Sequence, residues 1–301
     1  MNRHRTVVLA LALACAASVA SAEEKSLIKS FTVTPGGVLT VEADGADISV
    51  IGSDTNTVSV RIEARGSQSE LDELRLSAEQ SGDGIKVEAL RPPQRGPLRW
   101  GSWHVETHID VTAPRSYRVD AKTSGGDVQL ESVAGPSRLR TSGGSVQAHN
   151  VKGPFEGRTS GGEMRIESME GPVNAHTSGG DVYLSNIKGD VDADTSGGDV
   201  RLVHIDGKIN AGTSGGSVRC ELAGTNRGIT ATTSGGNVWL SLPKDISGTL
   251  DAQSSGGQID SDFPITTTRF SEHRLSGQIN GGGNEIYLRS SGGTITLTAA
   301  K

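Results

Sequence analysis

Thr123-Ser124-Gly125-Gly126-Asp127-Val128-Gln129-Leu130 is a phrase that the chain keeps repeating. Thr-Ser-Gly-Gly starts again at Thr141, Thr159, Thr177, Thr195, Thr213 and Thr233, with five intervals of 18 residues and a sixth of 20. Variants follow at Ser254 (Ser-Ser-Gly-Gly), Leu275 (Leu-Ser-Gly) and Ser290 (Ser-Ser-Gly-Gly). An internal period of this kind dictates architecture before any single residue does.

With Thr as position 1, apolar residues return to the same places in each repeat. Position 6 runs Val128, Val146, Met164, Val182, Val200, Val218 and Val238, and position 8 runs Leu130, Ala148, Ile166, Leu184, Leu202, Cys220 and Leu240. Positions 11, 15 and 17 are mostly apolar too, as at Ile205, Ile209 and Ala211. Apolar residues two apart, with polar residues between them, mark a strand with one buried face. Each repeat therefore holds two short strands. Positions 6 and 8 map onto 15 and 17, nine residues on, and the Gly at position 4 maps onto Gly135, Gly153, Gly171, Gly189 and Gly207 at position 13. Gly suits the bend that opens each half-turn because it tolerates positive φ.

One such coil has too few apolar groups to fold alone, so like positions must be buried on one another from coil to coil. The expected fold is all-β: a single-stranded parallel β-solenoid with 18-residue coils. The crossover rule favours a right-handed β-helix. Ten coils at ~4.8 Å each would make a rod on the order of 50 Å long. Gly makes up 41 of 301 residues and aromatics only 3%. The regular Val, Ile and Leu between the glycines argue against a disordered Gly/Ser chain. A hexapeptide helix would need aliphatics at position 5, which instead holds Asp127, Ser145, Glu163, Asp181, Asp199, Ser217 and Asn237. A calcium β-roll needs Gly-Gly-x-Gly-x-Asp in each nonapeptide, and that pattern is missing.

The repeat extends backwards in weaker form, since Ala43-Asp44-Gly45-Ala46-Asp47-Ile48-Ser49-Val50 aligns with the tetrad phrase. Thr57 to Ala64 alternates as a strand, Leu71 to Glu79 is expected to hold a short helix, and Ser81-Gly82-Asp83-Gly84 forms a turn before the strand Ile85 to Ala89. Residues 23–115 thus form an irregular, β-rich N-terminal part that caps the solenoid, and 116–301 form its regular part. Residues 1–22 are expected to be a signal peptide: Arg3 and Arg5, the apolar run Val7 to Ala17, then Ala20-Ser21-Ala22. An alternative is a lipoprotein anchored at Cys15, although Ala12-Leu13-Ala14 is a poor lipobox. No later segment is apolar enough to cross a membrane. The expected protein is exported, periplasmic or extracellular, and a monomer.

Arg118-Val119-Asp120-Ala121 after a strand ending in Ala113-Pro114, followed by Ser124-Gly125-Gly126-Asp127-Val128, resembles the bacterial putative-adhesin domain family. That family is long catalogued as a domain of unknown function. The likeness spans roughly residues 35–295. It implies an exported β-solenoid with an adhesive or envelope role, and it brings no catalytic residues to carry over.

Nothing in the sequence reads as an enzyme site. The tetrad serines recur at fixed spacing, whereas a nucleophilic serine is a single copy with a positioned base. The Gly-Gly pairs lack the Lys and the following helix of a phosphate loop. His104 and His108 are four apart in a predicted strand, poor metal geometry. Cys220 falls on an inward position and reads as a small core residue. No metal and no cofactor are expected. The net charge is −6, and about −8 without Arg3 and Arg5, which argues against nucleic acid or an anionic membrane as general partners.

Two features stand out as candidate contact sites. Outward position 7 runs Gln129, Gln147, Arg165, Tyr183, Arg201, Arg219 and Trp239. Stacking would align Arg165 to Trp239 in a stripe about 19 Å long. The plain alternative is that these arginines pair with acids at positions 5 and 9, such as Glu163, Glu167, Asp199 and Glu221. The second feature is the basic loop Arg91 to Trp103, which holds Trp100 and Trp103. The expected function is non-enzymatic binding of an envelope or cell-surface partner or polysaccharide. The alternative is a polysaccharide lyase or hydrolase on a β-helix, which would need a clustered base and carboxylates in one cleft.

Overall fold

The computed structural model describes residues 23–92 and 104–300. The chain opens with β1 (Glu23–Thr32), β2 (Val38–Ala43), β3 (Asp47–Ser53), β4 (Thr57–Gly66), α1 (Gln68–Glu73), β5 (Arg75–Ser81), β6 (Gly84–Leu90) and β7 (Glu106–Pro114). Paired strands of the regular coils follow. They are β8 (Arg118–Thr123), β9 (Val128–Glu131), β10 (Ser137–Arg140), β11 (Val146–Lys152), β12 (Phe155–Arg158), β13 (Met164–Glu170) and β14 (Val173–His176). After these come β15 (Val182–Lys188), β16 (Val191–Thr195), β17 (Val200–Asp206), β18 (Ile209–Thr213), β19 (Val218–Leu222), β20 (Ile229–Thr233) and β21 (Val238–Leu242). The chain ends with β22 (Gly248–Ser254), β23 (Ile259–Ser261), β24 (Ile265–Ser271), β25 (Arg274–Ile279), β26 (Glu285–Ser290) and β27 (Ile295–Ala299). No described helix is long and apolar enough to cross a membrane.

Each coil gives one strand to each of two long sheets, one of 13 strands and one of 14. The fold is the expected β-solenoid. Coils stack in parallel with a register of one repeat: Val146 lies on Val128 and Met164, and Ser137 on Val119 and Phe155. The inward columns at positions 6, 8, 11, 15 and 17 are buried between the sheets and form one continuous core from Leu39 to Leu297. Buried Val, Leu and Ile side chains contribute ~1.5–3 kcal/mol each before the entropy of ordering the chain is subtracted.

Position 1 is a further buried column that the apolar pattern does not reveal. Thr141, Thr159, Thr177, Thr195, Thr213 and Thr233 are buried. The Thr159 hydroxyl donates to the carbonyl of Gly144 in the preceding coil at 2.7 Å and accepts the N–H of Gly162 in its own coil at 3.3 Å. The tetrad Thr is a hydrogen-bonded rivet between coils. The second tetrad Gly is fixed by close approach, since a Cβ on Gly162 or Gly180 would run into the backbone carbonyl of the Gly one coil below. Position 10 carries the other bend. Ser132, Asn150, Ser168, Asn186 and His204 all have φ between 53° and 60°, a left-handed conformation that short polar residues tolerate best.

The order of coils departs from a simple ascending stack at both ends. β2 and β3 lie between β6/β7 and β8/β9, and β26 and β27 lie between β20/β21 and β22/β23. The first and last coils of the chain are therefore interior. The tetrads follow the same order: Ser290 Oγ donates to the carbonyl of Gly236 at 2.8 Å, and Ser254 Oγ to that of Gly293 at 2.7 Å. Leu275-Ser276-Gly277 is not a tetrad. It lies in β25, which runs antiparallel to β22 with Leu275 opposite Ala252. The helix expected over Leu71 to Glu79 is also corrected. α1 ends at Glu73, and β5 begins two residues on, antiparallel to β6, with Ala78 opposite Val87 in the core.

Candidate binding surface

The outward face of the 13-stranded sheet carries the position 7 column. Register places Gln129, Gln147, Arg165, Tyr183, Arg201, Arg219 and Trp239 on successive strands, with Thr296 and then Asp260 beyond Trp239. The three arginines are exposed, while Tyr183 and Trp239 are half-buried by them. The Arg165 guanidinium lies over the Tyr183 ring at 4.8 Å from its centre, that of Arg201 at 5.9 Å from the other side, and that of Arg219 over Trp239 at 4.6 Å. Such cation–π contacts hold planar groups in a preset stack.

Of the four acids expected to neutralise these arginines, Asp199 and Glu221 are engaged elsewhere. Arg165 does pair with Glu167, at 2.6 Å. Glu221 instead faces His204 Nε2 at 3.2 Å. Asp181 Oδ1 accepts the N–H of Asp199 at 2.8 Å, and Asp199 Oδ1 accepts that of Ser217 at 2.7 Å. Asp127 does the same for Ser145 at 2.7 Å. The Asp after Gly-Gly thus serves the backbone of the next coil, which accounts for its recurrence without calcium. Among the described residues, Arg201 and Arg219 make no ion pair. They line a groove of about 400 Å³ with Tyr183, Trp239, Asp181, Asp199 and Ser217.

Trp100 and Trp103, with most of the loop that holds them, lie outside the described residues, as do the expected leader and Cys15. Of that loop, Arg91 is placed with its backbone N–H donating to Asp44 Oδ2 at 3.0 Å. His104 and His108 do not form a pair of ligands. His104 precedes β7 and gives its backbone N–H to Glu70, whereas the His108 ring faces Asp47 at 3.3 Å and Glu106 at 3.4 Å. Cys220 is buried, and burial pushes its thiol up to about 12, which makes it inert.

The opposite sheet carries a cluster that sequence reading missed. His176, Asp192 and Asp194 have potential ligand atoms within 4.8 Å of one another. The cluster arises because positions 16 and 18 of adjacent coils face outward together. Burial, and then the Asp192 charge, hold the Asp194 carboxyl above its ordinary pKa. The group meets its own needs in part: His176 Nδ1 lies 3.5 Å from Asp194, and Asn210 donates to Asp192 at 2.7 Å.

The family model described as Toastrack DUF4097 matches residues 38–298, nearly all of the stacked coils. No curated protein matches the sequence. Among solved structures, a "putative adhesin" from Bacteroides fragilis is 12% identical, with 91% of this chain and 97% of that one covered and a TM-score of 0.36. A "putative adhesin" from Parabacteroides distasonis is 12% identical with the same coverage and a TM-score of 0.35. A "putative cell adhesion protein" from Clostridium sporogenes is 12% identical, with 92% and 100% covered and a TM-score of 0.23. Similarity at this level says nothing about ligand or activity. The match over 38–298 establishes that the chain belongs to the Toastrack DUF4097 family.

Proposed function

We propose that the protein is an exported, non-enzymatic binding module of the cell envelope that engages a surface polysaccharide or surface partner through the outward stripe from Arg165 to Trp239. The observation that carries this reading is the stacking of three guanidinium groups on Tyr183 and Trp239 along consecutive strands. The solenoid needs no side chain of this kind at an outward position, since Gln147 and Gln129 occupy the same column one and two coils before Arg165. A rigid row of aromatic faces and fixed donors suits an extended ligand, because little is lost in ordering the site. The adhesive role implied by the family resemblance agrees with it.

The test uses protein produced from Glu23 onward on a glycan array and on whole envelopes, with Tyr183→Ala/Trp239→Ala beside it. Retention by at least one envelope glycan or surface fraction, reduced at least tenfold in the variant, supports the reading. No retention, or retention unchanged in the variant, overturns it. Turnover of any of a panel of uronate polymers would replace it with the lyase or hydrolase alternative.

A further inference from the structure

We infer that the segment Tyr183–Arg201–Arg219–Trp239 is a subsite for acidic polysaccharide, with the two guanidinium groups taking the anionic groups of the sugar chain. This rests on the binding reading above and adds the chemical class of the ligand.

The order of the four residues carries the inference. Arg201 and Arg219 face each other in register on adjacent strands, about 4.8 Å apart at the backbone. Two like charges this close repel unless an anion lies between them. Elsewhere on the stripe the chain supplies that anion: Arg165 has Glu167. At Arg201 and Arg219 it does not. The coil of Arg201 has Val203 where the coil of Arg165 has Glu167. Glu221, at that place in the coil of Arg219, is turned to His204. Asp181 and Asp199 are held by backbone N–H groups of the next coil. Each guanidinium is instead stacked on a ring, Arg201 on Tyr183 and Arg219 on Trp239. Neither guanidinium donates a hydrogen bond among the described residues, so the N–H groups of both are open to a carboxylate or sulfate, which an arginine fork can take with two parallel hydrogen bonds.

The flanking groups select for a sugar rather than a free anion. Tyr183 and Trp239 bracket the arginine pair three coils apart, about 14 Å, and Trp239, which among the described residues has a single guanidinium over its ring, offers apolar ring surface to the C–H face of a sugar. A linked pyranose advances along its chain by a distance comparable to the ~4.8 Å coil step, so successive sugars can meet successive rungs. Asp181 and Asp199 line the same groove and have acceptor capacity for sugar hydroxyls. The overall charge of −6 does not oppose this, because beyond a Debye length of about 10 Å exposed charges are screened, and within the groove the charges of Asp181 and Asp199 are partly offset by the backbone N–H groups that they accept.

The test is titration calorimetry of protein produced from Glu23 onward against polygalacturonate, a sulfated galactan, a neutral galactan and single-stranded DNA. Arg201→Ala, Arg219→Ala and the double variant are compared with Arg118→Ala on the opposite sheet as control. All of these positions are exposed, and unchanged melting temperatures verify that the variants fold. The expected result is binding to at least one acidic polymer, weakened as salt rises, at least tenfold weaker in the double variant and unchanged in Arg118→Ala. Preference between polygalacturonate and the sulfated polymer identifies which anion the pair takes, and either supports the inference. Equal binding of the neutral galactan overturns the acidic class while leaving the binding reading intact. Equal binding of DNA shows a response to charge alone and overturns it too. Binding to none of the four, with retention still seen on the array or on envelopes, overturns this inference without touching the broader one.

Discussion

The hydroxyl of Thr141 donates to the carbonyl of Gly126 in the coil below at 2.8 Å, and the same oxygen accepts the N–H of Gly144 in its own coil at 3.3 Å. One side chain thereby satisfies a donor and an acceptor at the point where the chain leaves one sheet for the other. Thr123, the first tetrad Thr, is buried but has no partner for its hydroxyl among the described residues. Below it the tetrad Gly is replaced by Ala46.

The pair gives a contrast that packing alone would not. Thr→Val keeps shape and removes the hydroxyl. Thr141→Val should destabilise by about 1–3 kcal/mol, because it strands a buried carbonyl and N–H. Thr123→Val should cost nothing or stabilise slightly, since a buried unpaired hydroxyl is removed. Urea denaturation of both variants checks this, and equal losses would contradict it.

The two tetrad glycines should also differ. A Cβ on Gly162 would collide with the backbone carbonyl of Gly144, whereas on Gly161 it would meet the carbonyl of Gly143 at 3.6 Å, an ordinary contact. Gly162→Ala should therefore lose several kcal/mol or fail to fold. Gly161→Ala should stay within about 1 kcal/mol of the parent. Thermal melts of the two proteins decide the point, and a tolerated Gly162→Ala would mean that coils are less tightly stacked than described.

Much of this was legible in the sequence, and what was not has a physical reason. Coil length and inward columns follow from a local alternation at a fixed period, so Val128 to Val238 could be placed from the sequence alone. Coil order could not, because Ser254 and Ser290 carry the same tetrad and the pattern does not say which stacks on Thr233. Leu275-Ser276-Gly277 copies part of the tetrad but belongs to an antiparallel strand. The left-handed bend at position 10 had a signal in the recurring Ser and Asn of Ser132, Asn150, Ser168 and Asn186. The stripe from Arg165 to Trp239 was legible as a column. The state of its charges was not, since whether Glu221 turns to Arg219 or to His204 depends on side-chain geometry.

Acid should act partly through Glu156. Its carboxylate lies 2.8 Å from Arg138, 2.9 Å from Arg158 and 3.9 Å from Arg140. Burial raises its pKa, but the Arg138 hydrogen bond and the charges of the three arginines outweigh that and leave it lowered. A lowered pKa in the folded state favours folding above the unfolded value of ~4.3, and the contribution disappears as pH falls through the folded pKa. Glu156→Gln should thus cost up to about 1 kcal/mol at neutral pH for this partly exposed network and nothing in strong acid. Denaturation across the acid range tests it, and a loss that does not change with pH would contradict it.

The central claim is that the ligand lies along one outward face, on the rungs from Arg165 to Trp239, and not in the repeat itself. Covalent surface labelling with mass spectrometry, on protein produced from Glu23 onward with and without a retained envelope glycan, tests it most directly. The account predicts protection of Tyr183 and Trp239, with no change on the opposite sheet at His176 or Tyr287. Unchanged labelling of Tyr183 and Trp239 under saturating glycan, or protection confined to the opposite sheet, would contradict it.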